Sequence, residues 1–259
     1  MGAGLSRVAA VAANTFRETV RQRVLYNLVF FALVMTLSAL LLGELSVRQD
    51  EKIIKDFGLA AMDVFGTLIA LVLGVGLVSQ EIERRSLYPL LAKPLSREEF
   101  LLGRFFGLLF TLLVNTGAMA VGLYLTLLVN GRDLDPRLLL GVYAIFLALT
   151  LTVALALLFS CLFSSPALSF FGTFGALVAG RSSDVVRGMA EVLPGAPSWL
   201  TQAIYYALPN FRNFDLKNRV VYGDLVPASE LGWLTLYAAA YVGVLLGAAL
   251  LAFRRRDFV

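Results

Sequence analysis

Five long stretches of this chain are almost without charge, and short charged stretches part them. Val24–Gly43, Phe105–Val129 and Leu231–Phe253 hold no charged residue, Phe57–Ser79 holds only Asp63, and Leu138–Gly180 runs for 43 residues with none. A helix needs about 20 apolar residues to cross ~30 Å of hydrocarbon. Four of the stretches therefore fit one crossing each, and the fifth is twice too long. It folds back at Ser164–Ser165–Pro166, because proline removes a backbone donor and disfavours helix in the residue before it. The pattern predicts spans at 24–43, 57–79, 105–129, 138–163, 166–180 and 231–253. The span at 166–180 is short, roughly 22 Å of helix. It must extend past Arg181, tilt, or use a thinned or protein-lined passage.

Ahead of the first span, residues 5–23 read as an amphipathic helix. Val8, Ala12, Phe16 and Val20 recur every four residues, while Arg17 and Arg21 share another face. Such a helix lies along a membrane surface. A cleaved signal peptide fits less well, since the run from Val24 is longer than the usual apolar core and no A-x-A site follows it.

Composition narrows the class. The chain has 259 residues, 59% of them hydrophobic, with a mean hydropathy of +0.79. Only 15% are charged, against about 25% in soluble domains. The expected fold is an all-α integral membrane protein, a single transmembrane domain over 1–259. Lys and Arg set its orientation. With both termini and residues 80–104 on one side, that side holds 12 of the 22 basic and 6 of the 18 acidic residues. It is the expected cytoplasmic side, the membrane expected to be a bacterial inner membrane, and the segment 181–230 is expected to be external. The basic pI of 9.3 then reports orientation, and no nucleic-acid partner is expected.

Several chemistries lack their residues. There is no histidine, and the single Cys161 lies inside the fourth span, so His-based triads, H-E-x-x-H zinc sites and a disulfide framework are excluded. No catalytic or metal-binding residue is expected, and no cofactor on this chain. None of the four lysines (Lys52, Lys55, Lys93, Lys217) follows a glycine, so no phosphate-binding loop is present. Asp63 is the one intramembrane acid; seven residues past Asp56, it reads as a shallow carboxylate able to reach water rather than a functional one. Gly103-x-x-x-Gly107 and Gly243-x-x-x-Gly247 permit close helix approach without deciding function.

Between the second and third spans sits a compact charged insert, residues 80–104. Glu81, Glu83, Arg84, Arg85, Lys93, Arg97, Glu98 and Glu99 surround Leu87, Tyr88, Leu90 and Leu91, and Pro89 and Pro94 bracket the centre. Glu81 and Arg85, four apart, support helix continuing out of the membrane. Ser96-Arg97-Glu98-Glu99 is a capping box that starts the next helix. A plain loop needs no such apolar centre. These side chains either fold under the bundle or dock into a partner, and a charged rim round an apolar centre resembles an interface.

The run E-I-E-R-R-S-L-Y-P-L-L-A-K-P-L-S-R-E-E-F-L-L-G-R, Glu81–Arg104, resembles the signature of ABC-2-type permeases, the membrane subunits of ATP-binding-cassette transporters. Leu90–Leu91, Pro94–Leu95–Ser96–Arg97 and Gly103–Arg104 carry the likeness; Arg85–Ser86 stand where that family usually has Gly-Thr, and Pro89 is less usual there. The resemblance implies a cytoplasmic coupling helix seated in a separate ATPase. The coupling residues would be Glu81, Glu83, Arg84, Arg85, Leu87, Tyr88, Leu90, Leu91, Lys93, Pro94, Ser96 and Arg97. It further implies two ABC ATPase subunits holding ATP and Mg, and a second permease subunit, itself or a related chain. Leu208–Gly223 resembles external segments of one branch of the family. In this family the external segment forms short helices dipping into the outer leaflet, for which Trp199, Tyr205, Tyr206 and Phe211 are the candidates here. A folded cap on the bundle, or docking to an external partner protein, are the other readings. An ion-coupled secondary transporter, a lipid-acting membrane enzyme and a non-transporting accessory subunit are the rival functions. The aromatic and aliphatic span walls suit lipid-like or amphipathic cargo, or force transmission.

Overall fold

A computed structural model describes residues 2–20, 30, 31, 34, 50–83, 96–182 and 208–255, and within these every regular element is helical. The elements are α1 (Gly2–Thr19), α2 (Asp50–Glu83), α3 (Arg97–Val129), α4 (Leu138–Leu162), α5 (Pro166–Arg181), a 3-10 turn (Phe211–Phe214), α6 (Lys217–Tyr222) and α7 (Ala228–Arg255). Among the described residues, four stretches are long and apolar enough to cross a membrane: Glu51–Gly76, Glu98–Val129, Leu138–Leu162 and Ala228–Arg254. The expected span at 24–43, apart from Phe30, Phe31 and Val34, lies outside the described residues.

At the centre stands α4. It is apolar all round, and such a helix is stable only when surrounded; 78% of its spanning window is buried, against 28% for α7. Its neighbours approach through glycines. Gly141 meets Leu59, Gly66 meets Leu149 and Gly74 meets Ala156, so α2 and α4 run parallel in a constant register. Phe159 and Phe163 close over Gly172, and Ser169 donates to the Phe159 carbonyl, which folds α5 back antiparallel to α4. The reversal occupies Phe163–Ser165, and Pro166 opens α5, the position where a missing N–H costs nothing. Phe31 is buried, its ring against Phe65 of α2 and close to Gly122 of α3. Outward faces of α3 and α5 present Phe106, Phe110, Leu113, Leu125, Leu168, Phe171 and Phe174, the surface that lipid covers.

Two helices overshoot the hydrocarbon. At 34 and 33 residues, α2 and α3 are each about 50 Å long against ~30 Å of core. In contrast α5 has 16 residues and stops at Arg181, at roughly 24 Å. The chain fills the place it leaves with the stretch from Leu208 to Tyr222. Phe211, Phe214, Leu216, Val220 and Val221 are all buried, and Gly180 brings α5 so near Pro209 that an added Cβ would sit 2.5 Å from its carbonyl oxygen. The backbone N–H of Asn210 donates to the Tyr237 hydroxyl at 2.8 Å, tying this cap to α7. Phe211 is therefore a core residue of the cap; Trp199, Tyr205 and Tyr206 lie outside the described residues.

The glycine notches give a direct test. Gly74→Leu puts a side chain into Ala156, 2.5 Å from the position of the first added carbon, and overpacking of this kind costs about 1–3 kcal/mol. Its thermal unfolding midpoint in detergent should fall below that of the parent. Gly243→Leu, where no described residue lies within 4 Å, should leave the midpoint unchanged or raise it.

Candidate functional site

Two clusters of charge sit at opposite ends of the bundle. The first surrounds the beginning of α3. Ser96 accepts from the Glu99 N–H at 3.1 Å, and the Ser96 N–H donates to the Glu99 carboxylate at 3.0 Å. This reciprocal cap satisfies two of the orphan donors that any helix start leaves. It fixes where α3 begins, as the sequence predicts. Along its first three turns lies α1, running parallel to it. Gly4 approaches Glu99, Val8 and Val11 approach Gly103, Ala12 and Thr15 approach Gly107, and the Phe16 ring meets Phe110 at 4.7 Å. An added Cβ would come within 2.6 Å of a side chain at Gly103 and again at Gly107. The pair of small residues makes the groove that α1 needs.

Inside this contact is a guanidinium. Arg104 is 5% exposed, donates to the Glu18 carboxylate at 3.1 Å and to the Thr15 hydroxyl at 3.3 Å, and stacks over the Phe100 ring at 5.4 Å. Phe100 in turn lies against Phe253 near the end of α7, with ring centroids 6.4 Å apart, and Arg254 pairs with Glu98. Arg7 adds a looser pair to Glu99 at 3.8 Å. The root of α3 is thus held by α1 on one flank and by α7 on another.

At the far end the second cluster is built on Asp63. Its two oxygens accept from Arg181 at 2.7 and 3.1 Å, and Lys217 donates to one of them at 2.9 Å. Arg181 also donates to Thr67 at 2.9 Å, and Asp215 stands 3.7 Å from Lys217. These groups, with Arg212, Ile145, Ala148, Phe211 and Phe214, line a cleft of about 120 Å³. The expectation of a shallow acid reaching water is corrected here: Asp63 is 7% exposed and is neutralised by two cations. The partners come from 118 and 154 positions away, so depth along one helix could not reveal them. One signal was available. Arg181 is the first charge after a 43-residue apolar run, in a bundle with one intramembrane acid.

The predicted coupling residues divide. Ser96 is the N-cap of α3. Glu81 and Glu83 fall in the last turn of α2, and Arg97 in the first of α3. Arg84, Arg85, Leu87, Tyr88, Leu90, Leu91, Lys93 and Pro94 lie outside the described residues. Arg104 and Glu18 were not named as site residues; their signal was a lone cation just inside an apolar run and a lone acid on an amphipathic helix. Among the described residues no group of His, Cys, Asp and Glu could hold a metal ion.

A family model described as ABC-2 family transporter protein matches residues 9–181, most of the chain. This chain belongs to the ABC-2 transporter family. The match takes in α1 from residue 9 onward, the segment between α2 and α3, and the whole of α4 and α5. It ends on Arg181, so Lys217 and the cap lie beyond the matched part. No curated protein matches the chain. The molecule is a multi-pass ABC-2 permease, the membrane component of an ABC transporter, and lies in a class that lacks the ATPase motif and works with ABC ATPases.

In this permease Asp63→Asn should destabilise by leaving Arg181 beside Lys217 without the carboxylate they share, with only the looser Asp215 pair at 3.7 Å remaining to Lys217. Breaking a buried pair costs about 3–5 kcal/mol; with Arg181 39% exposed, solvent screening reduces this to roughly 2–3 kcal/mol. Lys217→Met added to Asp63→Asn should recover part of the loss. Thermal unfolding midpoints of the four proteins in one detergent form the cycle that measures it.

Proposed function

We propose that this chain is the permease subunit of an ATP-driven transporter. Two copies, or this chain and a related one, couple to two separate ATPase subunits through residues 84–95 and the helix ends beside them. The observation that carries the reading is the pair of long helices on either side of that segment. Both α2 and α3 run about 20 Å further than the hydrocarbon requires, and α3 starts on a capping box directly after it. A rigid rod entering the membrane is what converts a push at its end into movement at its middle.

Residues 84–95 are the cytoplasmic contact, with Leu90 and Leu91 as its apolar grip and the flanking charges as its rim. A dimer follows from the ATPases, since two must close on each other and one bundle meets only one of them. The end bearing Ser96 then faces the cytoplasm, with both termini, and the Asp63 cluster and the cap face outward. Lipid-like or amphipathic cargo suits the apolar walls; force passed to an external partner is the other use of the same stroke. Ion coupling is the weaker reading. The one intramembrane acid among the described residues already holds two cations and offers no free carboxylate for a travelling ion.

Copurification tests this. Tagged permease from its native membrane should bring down an ABC ATPase, and the double variant Leu90→Asp, Leu91→Asp should lose it while keeping its own elution volume and unfolding midpoint. A folded variant that retains the ATPase counts against the assignment of the contact. Wild-type permease that brings down no ATPase counts against the function.

A further inference from the structure

We infer that Arg104 is a positioning residue that makes α1 part of the moving unit, so that α1 and the first three turns of α3 travel as one body. The inference rests on the coupling function proposed above and adds to it a component and a residue. A helix that merely floats on the membrane surface needs an apolar face and a polar one. It does not need a partner helix carved to receive it. Here the receiving face is carved: Gly103 and Gly107 leave so little room that any side chain would strike Val11 or Thr15. Nor does a surface helix need its counter-charge under cover, yet Arg104 on α3 is 5% exposed and reaches Glu18 on α1.

The direction of packing matters as much as its tightness. Contacts at 4 with 99, 8 and 11 with 103, 12 and 15 with 107, and 16 with 110 climb together. The two helices share about 17 Å of length. A contact of that length resists both tilting and sliding of α1 against α3. Arg104 locks the register within it, because a shift of one turn, about 5.4 Å, would take its guanidinium away from both Glu18 and Thr15. Separating this covered charge from Glu18 would make the shifted register costly. The segment 84–95 precedes this root directly in sequence, and the reciprocal cap of Ser96 and Glu99 starts α3 there.

The decisive experiment uses the native complex of permease and ATPase in lipid nanodiscs, with Cys161→Ser as background and spin labels in pairs. One pair joins Asn14 on α1 to Leu113 on α3; the other joins Asn14 to Phe174 on α5. All three positions are exposed. Between the nucleotide-free and the ATP–vanadate states the first distance should stay constant and the second should change. A change in the first distance overturns the inference and leaves the coupling function standing. No change in either pair overturns both.

Arg104→Gln in the same complex should cut nucleotide turnover roughly tenfold while the ATPase remains bound. Arg104→Lys should restore most of it, and so should Glu18→Arg combined with Arg104→Glu. Wild-type turnover in Arg104→Gln overturns the role given to Arg104. Should Arg104→Gln fail to fold, Glu18→Gln removes the same ion pair from its more exposed partner, 38% accessible at the side chain, and must show the same loss with the ATPase still bound.

Discussion

Hydrocarbon offers a polar group nothing to bond to, so a charge that leaves water must bring its counter-charge with it. The permease meets this constraint at both ends of its bundle, and the two solutions fix its architecture. Arg104 finds Glu18 and Thr15 on another helix; Asp63 finds Arg181 and Lys217 on two more segments. Neither pair is local in sequence. Each therefore staples elements that apolar packing alone would leave free to slide. In a membrane, where lipid tails compete with side chains for every apolar surface, such staples and the glycine notches beside them supply the specificity.

The constraint also explains why a helix of 16 residues is tolerated among much longer ones. With α5 ending at Arg181, its last carbonyls and its terminal charge fall below the level at which α3 and α4 turn. A bare end at that depth would be intolerable. The stretch from Leu208 to Tyr222 covers it with Phe211 and Phe214, and Lys217 and Arg181 share the Asp63 carboxylate. The cap is then a necessary continuation of the bundle rather than an appendage. Gly180 against Pro209 shows how closely the two are fitted.

Much of this was legible in one dimension. Charge-free runs mark the helices that became α2, α3, α4, α5 and α7, because burial in lipid leaves a signal that any window of 20 residues detects. Ser96 and Glu99 mark the start of α3 because a capping box is a local device. What stayed hidden was pairing. The environment of Asp63 is set by residues that approach it only after the chain has folded back three times, and α1 looked like a surface helix because its amphipathicity says nothing of what covers the apolar face. The two G-x-x-x-G pairs make the same point. Gly103 and Gly107 are filled by α1, while Gly243 and Gly247 meet nothing among the described residues. Identical spacing thus marks a groove filled by a described helix in one case and not in the other.

The coupling role proposed for α3 asks for a helix that is stiff where it would carry load and free to move elsewhere. The distribution of contacts is compatible with both needs. At the root of α3, α1 and the end of α7 grip from two flanks through Arg104, Phe100 and Glu98, so bending there is opposed by ion pairs and stacked rings together. Further along, the outward face of α3 carries lipid-covered Leu113 and Leu125, which slide past acyl chains at little cost. The bundle is stiff next to the charged insert and slippery beyond it. Reversing that order, with a soft root and a pinned shaft, would dissipate a push before it reached the membrane.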